Sequence, residues 1–192
     1  MKRSLLLFLF LCRIHEINAQ DTERKVAIGL GVQAYPAGVI PFLQCHLYLT
    51  NDISVSARVG YNITDRKDFS PVNDHEEGSG PGISIGLNKN FNWRKNQLFV
   101  GFMTEVWQLK INWKDASNIQ TNRIGQTEVI VLQPWLNAGY LKSIGKSPID
   151  FVVGLGFGRE INIITKGDEV AQGWMGSVFA GIHYNIPSGE LK

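Results

Sequence analysis

Several residue groups in this chain could carry chemistry, and each asks for a different reaction. Gly154, Gly156 and Gly158 lie in IDFVVGLGFGREI and offer, on first reading, a loop that cradles phosphate. Such a loop needs a helix directly after the glycines, with its first amides facing the anion. The chain instead continues as REINIITKGDE, which has no helical period and no cap. Phe151, Val153, Leu155 and Phe157 alternate with Val152 and the three glycines, a period of two, so the glycines are one face of a strand. His183 and Ser177 could serve as base and nucleophile. Six residues of extended chain separate them by roughly 20 Å, beyond hydrogen-bond reach. No catalytic residue is assigned, and the chain is read as no enzyme. Asp74, His75, Glu76 and Glu77 could hold a divalent cation, but consecutive loop residues seldom preorganise a site, so they read as a solvated acidic loop. Asn62-Ile-Thr matches a glycosylation sequon and is discounted at a strand end. No metal and no cofactor is expected.

The elements that position these residues begin after a distinct leader. MKRSLLLFLFLCRIHEINAQ has Lys2 and Arg3, an apolar run from Leu5 to Cys12 and a polar exit near Ala19, the order of a secretory signal peptide over residues 1–20. The run is too short for a spanning helix, which takes roughly 20 apolar residues. Residues 21–192 then suit one domain. Of the 19 Lys+Arg, Lys2, Arg3 and Arg13 belong to the leader, and of the 17 Asp+Glu only Glu16 does, so the remainder is formally neutral. Nothing in that balance argues for nucleic acid, which wants a strongly basic face. Cys45 is the single cysteine left, which excludes an internal disulfide and a cysteine-based zinc site.

Period-two patterning recurs over roughly 25–35, 42–50, 53–63, 82–92, 98–112, 127–141, 149–161 and 172–186. The connections after the first, third, fifth and seventh segments read as long, and those after the second, fourth and sixth as short. This is the order of an eight-stranded antiparallel up-and-down meander that closes into a barrel. One parity collects apolar residues such as Ile28, Leu30, Leu43, Ile53, Val55, Val59, Ile83, Ile85 and Leu136. The other is small or polar: Gly29, Gly31, Ser54, Ser56, Ser84, Gly86, Asn88, Asn137 and Ser177. Water-facing strands normally carry Lys, Glu and Thr. Gly, Ser and Asn suit a narrow lumen, which leaves the apolar parity to face lipid, the pattern of a transmembrane barrel. The alternative arrangement, a secreted soluble lipocalin-like barrel around an apolar ligand, would place the apolar set inside.

Aromatics support the lipid-facing arrangement. Phe91, Tyr140, Phe151 and Tyr184 fall toward the short-turn end, and Tyr61, Phe157 and Trp174 toward the long-loop end, as two interfacial belts require. Arg58 and Glu105 share the lumen parity at similar depth. Arg58 turned to lipid would cost about 2–4 kcal/mol, so an Arg58–Glu105 ion pair across the lumen is expected, with His46 and Gln133 as neighbours. Two places break the pattern. Pro134 stands mid-strand in VIVLQPWLNAGY, where a bulge is expected. LFVGFMTEVWQLKINW mixes both parities, so either its register shifts near Trp107 or the strand has left the hydrocarbon there.

With AIGLGVQAY, FVVGLGFGREI and the final strand GSVFAGIHYNI, the chain resembles the small outer-membrane barrels, among them the transmembrane domain of outer-membrane protein A and the porin-like barrel family of Gram-negative bacteria. The resemblance covers residues 21–192 and is one of pattern. It departs at the end, where PSGELK follows the last strand and Tyr184 is the remaining candidate for the terminal aromatic residue. It implies a monomer in the outer membrane, in contact with its lipid. The expected role is structural, or recognition of an extracellular ligand or protein through loops 64–81 and 113–125. A small-solute channel is the alternative function.

Overall fold

The structure, a computed structural model, describes residues 24–67, 73–93, 96–115, 123–145 and 147–187, so the expected signal peptide lies outside the described residues. Its eight strands are β1 (Arg24–Tyr35), β2 (Gly38–Tyr48), β3 (Ile53–Lys67), β4 (His75–Trp93), β5 (Asn96–Asp115), β6 (Arg123–Ser143), β7 (Ile149–Lys166) and β8 (Gly173–Pro187). Each pairs antiparallel with the next, and β1 closes the ring on β8. Closure leaves no edge along the shared length of the strands, which a polar backbone in an apolar medium requires.

Alternation decides which face is which. In β3, Ser54, Ser56 and Arg58 point inward at 1%, 3% and 8% exposure, while Val59 is 55% exposed on the outside. Register carries the same parity round the ring: Ala57 opposes Ile85, Ile85 opposes Thr104 and Thr104 opposes Pro134. The outer surface is a continuous band of Ile, Leu, Val and aromatic side chains. Soluble monomers rarely expose an apolar patch of that extent, which marks a surface in contact with lipid or with another protein.

The strand ends depart from the sequence expectation, mostly at one end of the barrel. The first connection is a two-residue turn, because β2 already begins at Gly38. Most of 64–81 is the β3–β4 hairpin, and much of 113–125 belongs to β5 and β6. A strand is prolonged by its neighbour's backbone as well as by its own side chains, so the glycine-rich start of β4 pairs in register with both β3 and β5. The β3–β4 and β5–β6 hairpins thus rise above the apolar band as a crown.

On the β5–β6 wall of the crown the inside–outside rule reverses. Gln108, Lys110, Asn112, Gln126 and Glu128 are exposed on its outer face. Leu109, Ile111, Trp113, Val129 and Val131 turn inward and pack with Tyr35, Ile40 and Val170. This accounts for the mixed parity of β5. Ser84↔Glu105, Gly82↔Trp107 and Ser79↔Lys110 belong to one unshifted register, so the strand has left the band. The bulge expected at Pro134 lies elsewhere. β5–β6 pairing runs through Thr104↔Pro134, and the shift falls between Ile130 and Val131 on the β7 side of β6. The Pro134 carbonyl stands against Gly158 of β7, so the N–H that proline lacks would also have pointed there, and the β6–β7 pairing is interrupted at that level without a change of register.

Candidate functional site

The lumen is filled at mid-depth by charge and indole. Arg58 of β3 reaches Glu105 of β5 at 4.0 Å and donates from Nη1 to Gln33 Oε1 at 3.2 Å. Its guanidinium lies over the Phe42 ring at 4.3 Å and the Phe179 ring at 5.5 Å. Glu105 Oε2 accepts from Trp135 at 3.0 Å and from Trp107 at 3.3 Å. Gln133, which opposes Glu105 across β5–β6, accepts from Trp107 at 3.0 Å and donates to Glu160 at 3.2 Å. His46 stands lower. It bonds Gln44, the register partner of Arg58, and its ring lies 4.6 Å from that of His183. The space beneath Arg58, lined by Gln44, His46, Asn88, Asn137 and His183 among others, amounts to about 20 Å³. That is room for about one water.

A second charge cluster closes the crown end. Arg66 donates from Nε to Glu76 at 2.6 Å and from Nη1 to Glu160 at 3.0 Å, and all three side chains are buried. Asp65 and Lys67 flank Arg66 on the exposed outer face, which places it above the apolar band. Burial alone would lower the Arg66 guanidinium. Glu160 and Glu76 outweigh it, so Arg66 stands above its ordinary value and stays charged.

The same cluster holds the connection after β7. Gly167, at φ 122, turns the chain back over the mouth. The Ala171 N–H donates to both Glu76 oxygens, at 3.0 and 3.2 Å, and the Ala171 carbonyl accepts from Arg66 at 2.9 Å. Asn73 donates to the Glu169 carbonyl and Thr127 to that of Asp168. Val170 enters the crown core, 5% exposed. Replacing Glu76 by alanine removes the acceptor for Ala171 and is expected to raise cleavage within 167–172 by about tenfold in limited proteolysis. Arg123→Ala, which loses an exposed contact to Asp168, should leave cleavage unchanged.

The small cavity and the roof of Val170 and Ala171 together describe a plugged cylinder. Two solved structures share the architecture. Neisserial surface protein A matches over 86% of this chain and 98% of its own at 10% identity, with a TM-score of 0.55. A major outer membrane protein from Thermus thermophilus matches over 84% and 99% at 11% identity, with a TM-score of 0.56. This chain has the fold of a small eight-stranded outer-membrane β-barrel. No family model matches it, and neither does any curated protein.

On this outer-membrane barrel fold the remaining sequence candidates can be placed. Tyr61, Phe91, Phe151, Phe157, Trp174 and Tyr184 are exposed on the outer face, and Tyr140 is half-buried there. Phe157 and Trp174 stack at 5.3 Å. The solvated acidic loop is a correction: Glu76 is 1% exposed and lies at the centre of the crown cluster. Asn62 is fully buried and accepts from Tyr35 at 2.7 Å, so no glycan can reach it. His183 and Ser177 both face the lumen, and His183 neighbours His46. Sequence reasoning missed Arg66, Glu160, Trp135 and Gln33, read Glu76 as part of a solvated loop, and took Trp107 only as the place where β5 loses its pattern. One signal was available for them, since each falls on the inward parity of its strand, and only Arg66 and Glu76 lie beyond the segments read from the sequence.

Proposed function

We propose that this protein is a non-enzymatic, monomeric integral barrel of the outer membrane whose lumen is closed and whose crown is the functional surface. The observation that carries this reading is the pairing of a sealed interior with a crown of reversed polarity. Above the apolar band the β5–β6 wall continues with amides and charges on its outer face, and its apolar side chains turn inward beside the Arg66–Glu76–Glu160 cluster. A barrel serving only as an anchor has no use for that extension. Binding usually resides in segments that a rigid scaffold presents to solvent, and here the β3–β4 and β5–β6 hairpins are so presented. The ligand class expected is an extracellular molecule or protein met at those hairpins. Arg58, Glu105, Gln133 and His46 serve this role as lumen filling that stiffens the scaffold.

The channel reading predicts the opposite behaviour. In a planar bilayer the purified barrel should pass no steady ionic current, because the space beneath Arg58 has room for about one water and the mouth is roofed. Stable single-channel openings would overturn the closed-scaffold reading.

A further inference from the structure

The outer face of the β3–β6 wall is not uniformly convex. A shallow depression of about 500 Å³ lies in the crown-side half of the apolar band, between Val59, Pro81, Ile83, Val106, Gln108 and Ile130. Its cause is local. Gly60 and Gly82 oppose each other, and the Trp107 ring presses against Gly82 from the lumen so closely that a Cβ there would collide with it. Between Gly82↔Trp107 and Ser79↔Lys110 the β4–β5 pairing is interrupted, and Pro81 has no N–H to offer it. The wall sinks where these coincide.

We infer that this depression seats one anionic membrane lipid, its acyl chain between Val59 and Ile130 and its headgroup at Lys110. The inference rests on the membrane reading above and adds a ligand to it. The floor is apolar and continuous with the lipid-facing band, so hydrocarbon is its natural filling. The crown-side end changes character within one residue. Gln108 is exposed there, and the Tyr61 and Ser79 hydroxyls stand 3.0 Å apart. Lys110 opposes Ser79 on that side, with Glu128 on its other flank. Amide, hydroxyls and ammonium together form a donor-rich rim that complements a phosphate. A second barrel laid on this wall would bury Lys110 and Gln108 against apolar side chains, which a lipid avoids because its own polarity changes at the same height.

Native mass spectrometry on barrel released from vesicles of phosphatidylglycerol or of phosphatidylcholine tests the assignment. The wild type should retain one phosphatidylglycerol in preference to phosphatidylcholine. Val106→Trp, filling the depression from β5, should cut the retained fraction about tenfold, and Lys110→Ala should erase the preference between the two lipids. Heat-modifiable migration on a gel shows that each variant is folded, and Ile130→Trp supplies the same filling from β6 if Val106→Trp is not. Folded wild type without retained lipid overturns the inference, as does undiminished retention in the filled variants. Equal retention of both lipids by the wild type overturns the headgroup assignment. A dimer that takes the place of the lipid overturns it in favour of a second copy. Recovery of the protein in buffer without detergent is a separate failure, that of the membrane reading itself.

Discussion

Replacing Glu105 by alanine is expected to lower the unfolding free energy of the barrel by about 3–5 kcal/mol. The carboxylate is 1% exposed and faces three donors: Arg58 at 4.0 Å, Trp135 at 3.0 Å and Trp107 at 3.3 Å. Trp107 keeps Gln133 when Glu105 is removed, whereas Trp135 loses the acceptor it has here. The larger cost falls on Arg58, left charged between two phenyl rings with Gln33 as its remaining acceptor. Taking both charges away should cost far less than the two single changes together, since a buried pair replaced by apolar groups is often close to neutral. Urea unfolding of Arg58→Met, Glu105→Leu and the double variant in lipid vesicles measures this. Additive effects in that cycle would show that the two residues are merely near each other.

Placing a charge on the outer wall tests the other half of the arrangement. Ile85→Arg, at a position 64% exposed in the middle of the band, should destabilise the bilayer-embedded barrel by about 2–4 kcal/mol. The same change at Gln126, on the outer face of the crown, should lie within about 0.5 kcal/mol of zero. A soluble barrel would reverse the first sign, because trading an exposed isoleucine for arginine improves a water-facing surface. The comparison therefore reads the surrounding medium directly. Equal and small effects at both positions would remove the membrane assignment.

The parity argument was readable in the chain because it is local. Ser54, Val55, Ser56 and Ala57 declare their faces by alternation, and no distant residue is needed to interpret them. Arg58 and Glu105 could be matched for the same reason: both lie mid-strand on the inward parity, where an uncompensated charge is costly. The crown was hidden. Glu76 and Gly78 have no strand propensity of their own, and they are extended because β3 on one side and β5 on the other offer them backbone partners. Trp107, Leu109 and Ile111 looked like noise on the lipid-facing rule because they obey a different one, that of an ordinary apolar core in water.

By itself, then, the order of residues determined eight alternating strands and their inward and outward faces. Each of these depends on neighbours two residues away or on bulk composition. Closure of the mouth was decided only by the assembled fold. Arg66, Glu76 and Glu160 come from β3, β4 and β7, and the connection they hold, through Ala171, lies 95 residues beyond Glu76 in the chain. A pair potential between such positions leaves no periodic trace along a single strand. It exists because strand tilt and register bring three inward faces to one height, where burial makes each charge require the others.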